Sequence, residues 1–478
     1  SFRPKHDTNM NVVRLILLLL LVHCCGSDVC PEQCACLSYV NCMGRALTEI
    51  PEGLPNDTTT LDLRLNNLRR LAEGAFAAVP KLIYLHLDST NIHEIHDLAF
   101  INLHRLHHLY LSQNSLSVIP CAAVQMIPQL THLRLSGNSI STLPPNCFEG
   151  INNLYGIELD NNRIQTLHED TFLGLHELRD LNIAYNRLTV VPEQALRQIP
   201  NLQTLRLDGN PIHVIGSDDF NNTSRLLSLS LGNLGDDLDI REGALSHLRL
   251  VELSLSDNNL QNLPVSVRNV SSLLQFDLRG NFYPIIFESW FENMAALQTL
   301  NLASVSLQFL FEPALRGLFS LRTLYLNHNA LGSLFETTFQ DTPALKSLQL
   351  NNNEILALPA RLFAGLTSLE SLFLYNNKLA QLPAELFTDT ISLKYLYLSG
   401  NRLVTLPGEI FHGLYSLSFL DLSLNHLEEL PEGLFDNLTS LELLYLHGNR
   451  LTEVPSGLAR MMTQLREVSL DDNPIEID

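Results

Sequence analysis

The sequence predicts an α/β solenoid: short repeats stack side by side, their strands forming one parallel sheet on a concave face. Irregular or short-helical return segments form the convex side. Three observations predict this. First, Leu106, Leu109, Leu111 and Asn114 reappear as Leu130, Leu133, Leu135 and Asn138, a period of 24 residues. Second, the apolar positions come as Leu-x-Leu, the alternation of a strand that buries one face. Third, Asn returns in phase at 162, 186, 210, 258, 281, 329, 353, 377, 401, 425, 449 and 473. About 18 repeats follow, counted from Asn66. Such repetition overrides the several globular domains that 478 residues would otherwise suggest.

Taken in order, the chain opens with residues 1–9, which contain no Met and are expected to be upstream or unstructured. Met10 and Arg14 then precede the apolar run Leu15–Val22, and the small residues Gly26 and Ser27 follow. That is the form of a signal peptide over 10–27, and the run is too short for the ~20 residues of a membrane span. Cleavage there leaves six cysteines, Cys30, Cys34, Cys36, Cys42, Cys121 and Cys147, an even number that suits disulfides in a secreted chain. Five Asn-x-Ser/Thr sequons, at Asn56, Asn221, Asn222, Asn269 and Asn437, fit glycosylation in the same compartment. Cys121 and Cys147 fall on return segments of successive repeats, which makes a bond between them geometrically reasonable; two buried thiols are the alternative.

Within the repeats, no unit can bury its Leu face alone, so neighbours must share one continuous core. The Asn leaves the strand where turn backbone lacks partners, and its amide both donates and accepts. Leu382-Pro383 with Phe387 and Leu430-Pro431 with Phe435 return the chain, their Phe residues stacking as an inner spine. Thr90, Leu234 and Val305 interrupt the Asn column, and a local kink is expected around residues 232–246.

The recurring Leu-x-x-Leu-x-Leu-x-x-Asn-x-Leu resembles the extracellular leucine-rich-repeat family, over residues 30–478. The resemblance implies a right-handed, horseshoe-shaped solenoid. Cys30-Pro31-Glu32-Gln33-Cys34-Ala35-Cys36 and Cys42 look like that family's cysteine-rich N-terminal cap, placed at 28–57 ahead of repeats at 58–478. The cap implies Cys30–Cys36 and Cys34–Cys42 pairing. The family's secreted and receptor members usually close with a second cysteine cap; after Asn473-Pro474 no Cys follows, so a longer natural chain is expected.

The phase of the repeat also lists what faces the concave side. One cluster gathers Tyr325, His328, Phe373, Tyr375, Tyr395, Tyr397, Phe419, Tyr445 and His447. Rigid exposed aromatics mark binding hot spots, although cross-strand packing alone would also use them. A second cluster, Tyr84, His86, His108, Tyr110, His132 and Arg134, places two imidazoles on adjacent strands. A polar binding surface is the expectation there; a zinc site would lack a clear fourth ligand. The remaining face is acidic, with Asp62, Asp88, Glu158, Asp160, Asp180, Asp208, Glu252, Asp257, Asp277, Asp421, Glu467, Asp471 and Asp472 against Arg64, Arg134, Arg206 and Arg279. That favours a basic protein ligand.

The net charge of −21 opposes nucleic-acid or anionic-membrane binding. No phosphate loop, nucleophile elbow or His-Glu-x-x-His occurs, an open sheet excludes water poorly, and neither catalysis nor a cofactor or metal is expected. Two functional classes remain: a secreted protein that binds a protein ligand through its concave face, or the ectodomain of a membrane receptor or adhesion molecule.

Overall fold

The computed structural model describes residues 30–36, 39–454, 458 and 465–476. The expected leader at 10–27 and the stretch 1–9 lie outside the described residues. Two compact units emerge: the first runs to Asn186 with Gln194–Asn201, the second comprises Arg187–Glu193 and the chain from Leu202 onward.

In the first unit the cap strands Ala35–Cys36 and Val40–Asn41 pair antiparallel. Val40–Asn41 then joins Thr60–Asp62 in parallel. Tyr84–His86, His108–Tyr110, His132–Arg134, Gly156–Glu158 and Asp180–Asn182 continue the parallel ladder, each rung 24 residues beyond the last. The cap carries disulfides Cys30–Cys36 and Cys34–Cys42, and Cys121–Cys147 ties two return segments. The second unit repeats this ladder from Thr204–Arg206 to Glu467–Ser469. The odd step from Asn258 to Asn281 is absorbed without loss of register, since Glu252 pairs Gln275. Return segments are mostly turns, with short helices such as Cys121–Gln125 and Val265–Arg268.

Inside every parallel rung but the last the central residue is buried, as with Leu109, Leu205, Leu300 and Leu396, whereas Val468 at the final rung is half-buried. Each such side chain contributes about 1.5–3 kcal/mol by leaving water, but only because the next repeat covers it. Behind them runs the Phe spine: Phe339, Phe363 and Phe387 stack at 6.2 Å per step.

The Asn column has a direction. Asn138 Nδ2 donates to the carbonyls of Leu111 and Leu135, and Asn138 Oδ1 accepts from Leu116 N. One amide thus completes the turn of the repeat before its own. Thr90 imitates half of this, its hydroxyl donating to Leu87 O at 2.7 Å. At Leu234 and Val305 the following Asn still accepts from the backbone, at 2.7 and 2.9 Å. The kink expected at 232–246 does not interrupt the sheet, because Ser228–Ser230 keeps register with both neighbours. The irregularity is taken up in the return, where Asp239–Ile240 pairs in parallel with Val214–Ile215.

Candidate ligand-binding surfaces

The strand face of the first unit carries a column of rings. Tyr84 stacks on His108 with centroids 4.5 Å apart, and His108 on His132 at 4.6 Å. Tyr155, which the repeat phase alone did not single out, extends the column at 5.7 Å from His132. It does so because the next position in the row is Gly156, where even a Cβ would lie 3.2 Å from the His132 ring. A second, shorter row pairs His86 with Tyr110 at 4.6 Å, and the Arg134 guanidinium lies 4.8 Å over Tyr110. Arg134 also pairs with Glu158 at 3.0 Å.

Burial pushes the His108 imidazole down to about 4, helped by the neighbouring His132, His107, Arg134 and His86. Burial likewise lowers His86 and His132. At neutral pH these are neutral rings, which can stack face to face without charge repulsion. Stacking turns their nitrogens away from a common point. Among the described residues the only three-ligand cluster is His168, Glu169 and Asp170 on a return segment, not this patch.

In the second unit the aromatic residues divide. Phe373, Tyr397 and Phe419 form a continuous stack at 4.7 and 4.6 Å, and Tyr445 closes edge-on at 5.4 Å. Tyr375 meets Tyr397 edge-on at 6.5 Å, and His447 lies 6.2 Å from Tyr445. Tyr325, His328 and Tyr395 are not in this stack. Tyr325 pairs in register with Gln349. The His328 ring lies 3.3 Å from the Asn352 amide, and Tyr395 is exposed. Flanking the stack, Glu370 sits between Lys346 at 2.9 Å and Lys394 at 2.8 Å. Those two ammonium groups, Lys394 first, hold its carboxyl at about 2.

Before the aromatic stack lies a polar hollow of about 350 Å³, lined by Arg206, Ser228, Ser230, Glu252, Gln275, Asp277 and Tyr325 among others. The acidic face is less free than its composition suggests. Asp208 accepts from Ser230 Oγ and Gly232 N, Asp160 from Ser136 Oγ and Asn182, and Asp421 from Ser423. Asp62 is buried against Arg64 at 2.7 Å. These carboxylates brace turns and hydroxyls, so part of the acidity is structural. The sequon residues Asn56, Asn221, Asn222 and Asn269 are exposed and Asn437 is half-buried, all outside the strand triplets.

Family profiles described as "Leucine rich repeat" match residues 56–116, 105–156, 152–212, 285–331, 319–379, 369–427 and 420–475. The chain belongs to the leucine rich repeat family. The unmatched stretch between 212 and 285 includes the irregular return at 232–246. Among curated relatives, mouse chondroadherin-like protein is 43% identical over 61 residues, 12% of this chain and 8% of that protein. Human immunoglobulin superfamily containing leucine-rich repeat protein 2 is 41% identical over 73 residues, 14% of this chain and 10% of that protein. The chain therefore matches only a small fraction of their length. Among solved structures, the Drosophila Toll–Spatzle complex aligns with a TM-score of 0.72 at 23% identity, covering 89% of this chain and 56% of that one. A leucine-rich-repeat protein of Leptospira interrogans aligns with a TM-score of 0.59 at 22% identity, covering 100% of both. At such identity the likeness establishes the fold. The chain shares its fold with Toll and its repeat sequence with chondroadherin-like protein. No helix among the described residues is long and apolar enough to cross a membrane.

Proposed function

We propose that the chain is a secreted leucine-rich-repeat protein, without catalytic activity, that binds a protein ligand on its strand face. The observation that carries this is the stack Phe373–Tyr397–Phe419–Tyr445 on one rigid sheet. Its rings are already ordered by their neighbours, so binding loses little side-chain entropy there. The His/Tyr column with Arg134 serves as a second contact patch. The face is free of sequons, whereas all five sequons lie on the cap or on return segments, where glycans would leave the strands open. Residues 10–27 act as leader, 28–57 as cap and 58–478 as the repeat array, and the residual acidity favours a basic ligand.

A test is capture from extracellular fluid by the wild-type chain and by a Tyr375→Ala, Tyr395→Ala, Tyr397→Ala variant of unchanged circular dichroism. Loss of the captured partner supports the reading, and equal capture overturns it. The second reading, a receptor ectodomain, draws on the likeness to Toll, whose solved complex holds a protein, Spatzle. Sequencing the 3′ end of the transcript separates the two: about 20 consecutive apolar codons would make it a receptor.

A further inference from the structure

Six residues past the Asn position, about half of the repeats carry Pro: Pro120, Pro144, Pro192, Pro264, Pro359, Pro383, Pro407, Pro431 and Pro455. Three successive repeats of the second unit carry Phe instead, at Phe287, Phe311 and Phe335, and each is followed directly by Glu. All three rings are exposed, by 54%, 44% and 43%. Phe309, half exposed, joins them: it stacks on Phe311 at 6.2 Å, and Phe311 stacks on Phe335 at 6.3 Å. A row of phenyl rings in water is unfavourable unless something covers it.

The acids alongside indicate what covers it. Glu288, Glu312 and Glu336 form a second exposed row beside the rings. Glu288 pairs with Arg316, while Glu312 and Glu336 have no ion pair among the described residues. No sequon falls between residues 281 and 341. We propose that this Phe–Glu ladder docks a cationic amphipathic helix of a partner protein. Residues four apart on a helix are 6.0 Å apart along its axis, close to the 6.3 Å ring step from Phe311 to Phe335. An apolar stripe therefore lies along the Phe row while lysines or arginines one row over meet the Glu row. A second copy of this chain fits poorly, because its net charge is −21 and its own acid row would be brought up against this one.

The single Trp of the chain, Trp290, is buried 6.1 Å from Phe287 and serves as the reporter. The full chain is titrated with a Leu/Lys amphipathic peptide of about five helical turns, free of Trp and Tyr, while Trp290 emission is followed. A scrambled peptide of the same composition is the control for bulk charge. Two variants decide. Phe311→Pro with Phe335→Ser removes two of the four rings and the stack they make; Phe311 has φ −68°, which proline accepts, whereas Phe335 N donates to Thr338 and cannot be proline. Glu312→Lys with Glu336→Lys reverses exposed charges only and keeps the test valid if the first variant misfolds.

The expected result is a saturable emission change for the amphipathic peptide, with affinity falling roughly tenfold or more in each variant. Tyr397→Ala on the strand face leaves it unaltered. Equal affinity across wild type and variants, equal binding of the scrambled peptide, or a silent Trp290 overturns the proposal. So does sedimentation showing a dimer that the ring variant converts to monomer, since a second copy would then be the occupant.

Discussion

The ring column of the first unit follows the first residue of its strand triplets, at Tyr84, His108 and His132, whereas that of the second follows mainly the third, at Phe373, Tyr397 and Tyr445, with Phe419 crossing over from the first. The two also differ chemically. Tyr84–His108–His132–Tyr155 has two titratable rings at its centre, kept neutral by burial, with His132 adding to the effect at His108 and Arg134 at His132. Phe373–Tyr397–Phe419–Tyr445 has none that titrates near neutrality; burial raises the Tyr397 phenol further. The scaffold fixes ring spacing, and the ring's identity decides whether the column responds to pH.

Tyr397→Ala is expected to have the largest effect. Tyr397 touches Phe373, Tyr375 and Phe419, so its loss takes out the centre of the column. Ligand affinity is expected to fall about 30-fold, as for a hot spot of about 2 kcal/mol, measured by calorimetry once the ligand is captured. Next in size is Gly156→Leu, whose side chain enters space bounded by His132 at 3.2 Å. Overpacking of this kind costs about 1–3 kcal/mol. It should separate His132 from Tyr155, seen as loss of protection in hydrogen exchange at that rung.

A subtler effect comes from pH. His108 titrates at about 4 in the folded chain, against about 6.5 when unfolded. The unfolded chain thus binds the extra proton between those values, and stability declines as pH falls from about 6.5 through about 4. His108→Phe keeps a ring in the column and should flatten that slope, read from melting temperatures across the window. A slope unchanged in the variant would assign the pH response to other groups, the neighbouring imidazoles His86, His107 and His132 first. Smallest is Glu370→Gln beside the second column: its pairs with Lys346 and Lys394 are exposed, so melting should hold steady in moderate salt.

The fold was legible because a strand's alternation and the Asn amide each demand one residue type at one spacing. Leu109, Leu133 and Asn138 could hardly be placed otherwise. The candidate surfaces were legible as rows and not as contacts. Which rings touch depends on gaps such as Gly156, which lets Tyr155 extend the His132 column, and on what stands between, as Gln349 does between Tyr325 and Phe373. The acidic face misled for a related reason. Asp160 and Asp208 look like free charges in one repeat, while the hydroxyls they accept from, Ser136 and Ser230, stand in the repeat before or after. The Phe-for-Pro column was readable in principle, but a Phe on a return segment normally belongs to the buried spine, as Phe339 and Phe363 do.

The one-way reach of the Asn column bears on how the chain emerges from a ribosome. Leu116 N finds its amide partner at Asn138, which also gives Leu111 O a second donor beside Asn114 of its own repeat, so each newly made turn is completed only by the next 24 residues. At roughly 5–20 residues per second that delay is about one to five seconds per repeat. Growth of the array is thus a zipper that always trails synthesis by one unit, with the cap disulfides holding its starting end.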